Sequence, residues 1–331
     1  RIYIGGDYGQ QNATTFQAFG LDTYRIQNRG GKGIKGMQTR EEDVVTKLFL
    51  SSNHSYLLYF TDMGRVYRTK TYNIPEAGRT AKGTPVVNII EKSPEEKISE
   101  IIPVKEFSDN EYLVMVTKNG IIKKTPASEY ESIRKSGKIA ITLKEGDELI
   151  SIFKTTGNDN IFLATRNGMA ICFNENDARA VGRTASGVKA IDLADGDYVV
   201  GAEPVREDSK VLLVTDGGYG KCTDLTSFRI QHRGGKGLKA YKITEKTGNI
   251  IGISMVNDSE ELIMVTSEGV VIRIRIKDIA TTTGRITQGV RLINLDDGVT
   301  VVSMDKISAE DAVEEESEEN NTEVTTETTE E

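Results

Sequence analysis

A segment of about fifty residues recurs along this chain, and its recurrence limits the possible folds more than any other feature. An apolar run that leads into Thr-x-x-Gly occurs five times, and successive threonines are 48 to 56 residues apart. The turns Asn119-Gly120 and Asn167-Gly168 are typical of tight β-hairpins. Each instance therefore predicts a hairpin. The five threonine–glycine pairs are Thr61/Gly64, Thr117/Gly120, Thr165/Gly168, Thr215/Gly218 and Thr266/Gly269.

Two further patterns recur with the hairpins. One is Arg-x-x-x-Gly, which follows most hairpins by about 15 to 20 residues, although Arg134 and Gly137 are closer together. The other is a turn of acidic residues and glycine, followed by a closing strand. The Arg-x-x-x-Gly pairs are Arg29/Gly33, Arg79/Gly83, Arg183/Gly187, Arg233/Gly237 and Arg285/Gly289, and the acidic turns are residues 145–147, 195–197 and 296–298.

The repeat predicts an all-β fold of six radial units, because about four short strands in fifty residues are typical of propeller-like repetition. Frequent glycine and the absence of long segments with helical periodicity exclude a helical solenoid. Each small sheet must pack on its neighbours, so we expect residues 21–307 to form one six-bladed domain. Residues 1–20 do not match the repeat, and we therefore expect the first unit to lack a recognisable hairpin. This segment is either part of the first blade or foreign to the domain.

The net charge of −8 hides a contrast between the body and the end of the chain. Residues 308–331 contain eleven Asp and Glu and no Lys or Arg, which leaves the remainder at +3. Such a segment is typical of a disordered acidic tail. No apolar run reaches the length of a membrane span, and no signal peptide is visible. Cys172 and Cys222 are interpreted as reduced, buried strand residues, which fits a cytoplasmic protein.

Two seven-residue stretches combine glycine with basic side chains, and we call them the first box and the second box. Glycine permits positive φ and close approach of a ligand, and freed N–H groups can form an anion-binding concavity. Arginine and lysine add phosphate contacts. Two copies in the same order make chance a poor explanation. The first box is Gln27, Asn28, Arg29, Gly30, Gly31, Lys32 and Gly33, and the second is Gln231, His232, Arg233, Gly234, Gly235, Lys236 and Gly237.

Basic residues also recur after the hairpin turns and around the Arg-x-x-x-Gly patterns. In a radial repeat, equivalent positions come to equivalent places around the disc, so these residues predict a basic belt that holds phosphates without reading sequence. The alternative is ordinary solvated strand edges, which lysine also protects from pairing. The candidates are Lys35, Arg65, Arg68, Arg79, Lys82, Lys123, Lys124, Arg134, Lys135, Arg183, Lys221, Lys239, Arg273 and Arg285, with Lys189 and Arg291 at related positions.

The sequence offers little for catalysis. Two histidines are few for acid–base chemistry or a metal site, and Gly220-Lys221 lacks the first glycine and the Ser or Thr of a phosphate-binding loop. We therefore predict no catalytic residue, no metal and no cofactor. The acidic pairs are interpreted as turn residues. Tyr56, Tyr67, Tyr72 and Phe60 are interpreted as core and strand-pair residues rather than platforms for stacking bases.

The two boxes, the Thr-x-x-Gly hairpins and the Arg-x-x-x-Gly patterns resemble the C-terminal domain of the gyrase A protein of DNA gyrase over residues 21–307. The resemblance implies a six-bladed β-pinwheel, monomeric in isolation, that wraps double-stranded DNA and presents a crossing to the strand-passage core. It also implies two partners, the breakage-reunion domain and the gyrase B protein, and an acidic tail that modulates wrapping. The DNA-binding residues would be those of the first box, where Asn28 replaces the usual basic residue.

Two departures from the family pattern are residues 1–20 and the second box, for which we expect a second anchor on the rim. Alternatives remain open. The related topoisomerase IV domain would hold DNA without strong wrapping, although two intact boxes favour gyrase. A protein-interaction scaffold would bind through the face of the disc with little salt dependence. A propeller enzyme would need a central pocket with convergent carboxylates, which the sequence does not reveal.

Overall fold

The computed structural model describes residues 55–75 and 84–307 in full. Of the preceding residues it describes the backbone of four strands, at 2–8, 13–19, 34–35 and 44–50. No helix in these parts of the chain is long and apolar enough to cross a membrane.

The described residues form short β-strands linked by turns and single-turn 3₁₀ helices. The strands are β1 (Ile2–Tyr8), β2 (Ala13–Phe19), β3 (Ile34–Lys35), β4 (Val44–Leu50), β5 (Tyr56–Thr61), β6 (Arg65–Lys70), β7 (Thr84–Pro85), β8 (Ile98–Val104), β9 (Tyr112–Thr117), β10 (Ile121–Pro126), β11 (Lys138–Ile139), β12 (Leu149–Thr155), β13 (Asn160–Thr165), β14 (Met169–Asn174), β15 (Val188–Lys189), β16 (Val199–Pro204), β17 (Lys210–Thr215), β18 (Tyr219–Asp224), β19 (Leu238–Lys239), β20 (Ile250–Val256), β21 (Glu261–Thr266), β22 (Val270–Arg275), β23 (Thr281–Thr282), β24 (Val290–Arg291) and β25 (Val301–Ile307). The 3₁₀ helices are Thr71–Asn73, Val86–Asn88, Ala127–Tyr130, Glu175–Asp177, Leu225–Ser227 and Ile276–Asp278.

These strands build six sheets, as the repeat predicted. Each sheet contains a hairpin, an inner strand that follows it in the chain, and a short outer strand. In chain order of their hairpins, the sheets run β4-β1-β2-β7, β8-β5-β6-β11, β12-β9-β10-β15, β16-β13-β14-β19, β20-β17-β18-β24 (with β23 parallel to β18) and β25-β21-β22-β3.

The outer strand of each sheet belongs to the next repeat. β11 pairs with β6, β15 with β10 and β19 with β14, so every sheet is completed by the repeat that follows it. The last sheet receives β3 from the first repeat, where Lys35 is opposite Val270 and Ile34 is opposite Val271. The inner strands contact one another in sequence from β4 to β25, and β25 contacts β4. The sheets therefore form a closed propeller-like ring.

The first unit contains a hairpin, so the expectation that it lacks one is wrong, and the strands at 2–8 and 13–19 are part of the first blade. β1 and β2 pair antiparallel from Ile2 opposite Phe19 to Tyr8 opposite Ala13, and β4 and β7 complete the sheet. The Gly- and Gln-rich sequence obscured these strands because it has no strong alternation and no Thr-x-x-Gly turn. Backbone pairing with β4 does not depend on that pattern, so the tertiary context stabilises strands that the local sequence does not predict.

The recurring threonine stabilises each hairpin turn. The Gly168 N–H donates to the Thr165 carbonyl at 3.1 Å, and the Met169 N–H donates to the Thr165 Oγ1 at 3.1 Å. Gly168 has φ +85°, and a Cβ there would lie 2.9 Å from the Tyr241 carbonyl oxygen. The same two bonds occur at the other four Thr-x-x-Gly turns. The hairpin predictions are confirmed.

The acidic turns stabilise the same hairpins from the neighbouring loop. The Asp147 carboxylate accepts from the Asn119 N–H at 2.9 Å, and the Asp197 carboxylate accepts from the Asn167 N–H at 3.0 Å. Their interpretation as turn residues is therefore confirmed.

The apolar core lies between adjacent sheets. Leu58 and Phe60 of the second sheet pack with Leu113 and Met115 of the third, and similar clusters join the third to the fourth, the fourth to the fifth and the fifth to the sixth. Cys172 and Cys222 are free and buried in these clusters, as the sequence predicted. Phe60 and Tyr67 are buried, as predicted, whereas Tyr72 is 65% exposed, so its interpretation as a core residue is wrong. Each sheet thus depends on its neighbours for burial.

Replacing Thr165 with Val should lower the free energy of unfolding by about 1–3 kcal/mol, because the volume is kept while the Met169 N–H loses its partner. Urea unfolding measures the loss. The matched control Thr184→Val changes an exposed threonine and should stay within about 0.5 kcal/mol of wild type. Equal stability of Thr165→Val and wild type would contradict the account of the turn.

Candidate nucleic-acid interface

The Arg-x-x-x-Gly loops at residues 183–187, 233–237 and 285–289 lie at the outer edge of the ring, each directly before a short outer strand. The loop at residues 231–237 is joined to β14 because the Gln231 N–H donates to the Cys172 carbonyl at 2.8 Å. Its last glycine, Gly237, has φ +75°, and a Cβ would lie 2.3 Å from the Ala170 carbonyl oxygen. The glycine therefore lets the chain pass close to β14 and enter β19.

The second box is a loop fixed by hydrogen bonds. Asp177 holds it: the Asp177 carboxylate accepts from the Arg233 N–H at 3.2 Å, and its carbonyl accepts from Arg233 Nε at 2.8 Å. The Gly234 N–H donates to the Ala190 carbonyl at 2.6 Å. The N–H groups of Gln231, Arg233 and Gly234 thus donate to protein oxygens and do not point into an anion-binding concavity.

The side chains that the second box presents to solvent are those of His232 and Lys236. The His232 ring is 99% exposed, and its Nδ1 is 3.3 Å from the Asp177 carboxylate. Lys236 is also exposed. Neither side chain supplies the bonds from Gln231, Arg233 and Gly234 that hold the loop.

The arginines of these loops contact the neighbouring outer strand. Arg233 Nη1 donates to the Lys189 carbonyl at 2.9 Å, and Arg285 Nη1 donates to the Lys239 carbonyl at 3.0 Å. Arg183 Nη1 donates to the Ile139 carbonyl. In each case the acceptor is the second residue of an outer strand.

Four of the predicted rim residues are buried, so the expectation that they line an exposed belt is wrong. Lys123 donates to the Ala140 and Arg183 carbonyls, and Lys221 donates to the Arg285 carbonyl and to Thr287 Oγ1. Strand alternation alone could not reveal this, because both faces of each sheet are covered by neighbours. The four are Lys123, Lys124, Lys221 and Arg273.

Each of these buried cations either pairs with a carboxylate or has a lowered pKa. Lys124 pairs with Glu175 at 3.4 Å, and Arg273 pairs with Glu261. Burial lowers the pKa of Lys123 to about 7 and that of Lys221 to about 8. These two lysines therefore hold the Arg-x-x-x-Gly loops from beneath rather than offering charge to solvent.

The remaining predicted rim residues are exposed, half-buried or outside the described residues. Exposed side chains belong to Arg134, Lys135, Lys236 and Lys239, together with Lys189 and Arg291. Arg65 and Arg68 are half-buried and donate to the Ser136 and Glu131 carbonyls. The first box, Arg79, Lys82 and the acidic tail lie outside the described residues, and Lys35 is described through its backbone in β3.

Sequence reasoning missed the acidic residues that hold the loops. Glu129 accepts from the Arg183 N–H at 2.8 Å, as Asp177 does from the Arg233 N–H. Both acids lie in the 3₁₀ helix that follows a hairpin, 54 and 56 residues from their partners. An acidic residue recurring one repeat before an arginine was the signal that could have found them.

A central cavity is a second candidate site. It has a volume of about 580 Å³ and is lined by the inner strands, including Glu203, Asp305 and Lys306. The sequence had not indicated that carboxylates converge there. Glu203 accepts from the Met255 N–H at 2.8 Å and lies 3.7 Å from Lys306 Nζ. Burial raises the pKa of Glu203, and it raises the pKa of Asp305 to about 7.

Six segments of the chain match the family described as "DNA gyrase C-terminal domain, beta-propeller": residues 19–52, 55–105, 111–156, 159–206, 209–257 and 260–308. The gyrase A protein of Clostridium acetobutylicum DNA gyrase is 50% identical over 291 residues, which are 88% of this chain and 35% of that protein. The gyrase A protein of Halalkalibacterium halodurans is 55% identical over 291 residues, with the same coverage. The chain thus spans about a third of the length of these curated relatives.

Two solved structures are similar to the ring. A DNA gyrase A C-terminal domain has a TM-score of 0.83 at 23% identity, over 93% of this chain and 100% of that one. The C-terminal domain of a DNA topoisomerase IV has a TM-score of 0.71 at 26% identity, over 97% and 98%. The propeller-like fold inferred from the repeat is confirmed.

The central cavity should make stability depend on pH through Asp305, which Glu203, Glu100 and Lys306 face. Because the folded state holds a proton that the unfolded chain releases near pH 3.8, this contribution is complete at low pH. It is lost as the pH rises to about 7. Relative to Asp305→Asn, wild type should therefore lose unfolding free energy across that window.

Urea unfolding of both variants at several pH values measures the difference. The exposed substitution Asp208→Asn is the matched control and should follow wild type. Parallel curves for wild type and Asp305→Asn would contradict the proton held in the cavity.

Proposed function

The chain belongs to the family of DNA gyrase C-terminal domains with a β-propeller fold, and we propose that it binds and wraps double-stranded DNA around its outer edge. The binding would have no sequence specificity beyond the ease of bending the duplex.

The observation that carries the proposal is the repeated position of exposed basic residues. Lys189, Lys239 and Arg291 are the second residues of β15, β19 and β24, on three successive sheets. All three are exposed, and Lys236 of the second box precedes β19. Cations at a regular spacing around a ring can neutralise successive phosphates of one bent duplex.

The acidic residues favour the same path. Asp195 and Asp296 are exposed in the turns at one end of the strands, and Glu207 and Asp258 are exposed in the loops at the other end. Negative charge at both faces of the ring repels DNA, while the basic outer edge attracts it. The charge pattern therefore supports binding at the edge and argues against binding through a face.

In the longer protein, we propose that the wrapped DNA supplies a crossing to the strand-passage core for negative supercoiling. The partners would be the breakage-reunion domain and the gyrase B protein, acting on DNA in the bacterial cytoplasm. By itself the chain would have no catalytic activity. Both boxes would anchor DNA, and the second box would do so through Lys236 and His232.

A second function is favoured by the similarity to a topoisomerase IV C-terminal domain. A domain of that kind would hold DNA with little wrapping. Wrapping and holding differ in topology rather than in affinity, so one assay separates them.

The assay binds the chain to nicked circular DNA, which is then ligated and deproteinised. Wrapping predicts a shift in linking number, whereas binding without a shift favours holding. Absence of binding at low salt, even without the acidic tail, would contradict both and favour the protein-interaction scaffold.

Replacing Lys189, Lys236 and Lys239 together with Gln should reduce the linking-number shift and weaken binding. Each lost phosphate contact should reduce the slope of log K against log salt by about 0.9. The matched control replaces Lys97, Lys105 and Lys144, which are exposed but lie beside inner strands or in a turn. An equal loss in the control would contradict a path along the outer edge.

Deleting residues 308–331 should raise DNA affinity at low salt. Their eleven carboxylates, tethered at high local concentration, would compete with DNA for the basic edge. Titration of labelled duplex with the full and the shortened chain measures the change, and unchanged affinity would contradict competition.

A further inference from the structure

The arginines of the Arg-x-x-x-Gly loops bridge adjacent sheets at the outer edge. Arg183, Arg233 and Arg285 donate through Nη1 to acceptors that lie 44, 44 and 46 residues earlier. Each acceptor is the carbonyl of the second residue of the preceding outer strand. Three repetitions of one contact between successive repeats indicate a built feature of the ring.

One end of each bridge is fixed to its own sheet. The backbone of Arg183 is held by Glu129 and Lys123, both from the β10 segment of the third sheet. Lys221 of β18 in the fifth sheet holds the Arg285 carbonyl in the same way. The loop backbone therefore cannot follow its side chain, and the position of the guanidinium is set by the sheet beneath it.

Arg233 is held by the acidic residue without a lysine. Its N–H donates to the Asp177 carboxylate, as the Arg183 N–H donates to Glu129, and its Nε donates to the Asp177 carbonyl. The residue of β14 that corresponds to Lys123 is the apolar Ile171, so the lysine contact is replaced by an apolar side chain in this sheet. The bridge is therefore formed both with and without that lysine.

The other end of each bridge lies on the sheet before. Arg183 reaches β11 of the second sheet, Arg233 reaches β15 of the third and Arg285 reaches β19 of the fourth. Two of the acceptor residues are Lys189 and Lys239, whose exposed side chains belong to the proposed DNA path. The guanidinium thus holds the backbone of a residue whose side chain faces solvent.

We infer that Arg183, Arg233 and Arg285 are positioning residues of the wrapping surface and not phosphate ligands. They fix the distance between successive outer strands, so that the exposed cations stand at the spacing a continuously bent duplex requires. The inference rests on the proposed function and assigns separate roles within it. Arginine suits this role because its planar group can donate several hydrogen bonds in a fixed geometry, which lysine cannot.

The distinguishing substitution keeps the charge and removes the geometry. The triple variant is Arg183→Lys, Arg233→Lys and Arg285→Lys. If the arginines contact phosphates, the lysines would still do so; if the arginines bridge the outer strands, the bridges would be lost. We expect an unchanged salt slope of DNA binding and at least a two-fold smaller linking-number shift. Retention of the full shift would overturn the inference.

A single position separates the two roles further. Arg285→Gln should leave the salt slope unchanged, whereas Lys239→Gln should lower it by about 0.9. An equal decrease in both variants would identify Arg285 as a phosphate ligand and overturn the inference. Urea unfolding of each variant shows whether a change in the linking-number shift follows from loss of the protein fold.

A measurement without DNA separates this inference from the proposed function. Spin labels at Val188→Cys in β15 and Ile286→Cys in the loop on β18 span two bridges, at exposed positions. We expect Arg233→Lys with Arg285→Lys to broaden the distance distribution at least two-fold. An unchanged distribution overturns the positioning role, whereas broadening in a chain that does not bind DNA contradicts only the proposed function.

Discussion

The exchange of outer strands between successive repeats is the constraint on which the rest of this structure depends. A sheet of three strands from one repeat has an unpaired edge, and the next repeat covers that edge with two residues of its own. The last sheet is covered by Ile34–Lys35 of the first repeat, which closes the ring. Because β15, β19 and β24 are each reached through an Arg-x-x-x-Gly loop, the strand exchange also brings those loops to the outer edge.

The hairpins could be predicted because their turn chemistry is local. Thr165 and Gly168 act within five residues, so the sequence alone identifies their role. Burial of Lys123 and Lys221 could not be predicted in this way, because it depends on loops that arrive from the next repeat. The β1–β2 hairpin could not be predicted because its sequence has no Thr-x-x-Gly turn. Its strands are identified only by their pairing with each other and with β4.

The basic residues of the candidate interface therefore belong to two groups, exposed and buried or bridging. Residues such as Lys189, Lys236 and Lys239 are exposed and, under the proposed function, would contact phosphates; their placement follows from the strand exchange. Buried or bridging residues such as Lys221 and Arg285 hold the loops and strands that carry the first group. In the sequence both groups look alike, because a charge pattern does not reveal whether a cation faces solvent or a carbonyl.

The most direct test of the central claim is the end-to-end distance of bound DNA. A duplex shorter than its persistence length of about 150 base pairs is nearly straight when free, so dyes at its two ends transfer little energy. Wrapping around the outer edge predicts a rise in transfer on binding at low salt, and its loss when salt releases the DNA. Binding detected by anisotropy with unchanged transfer would contradict the account.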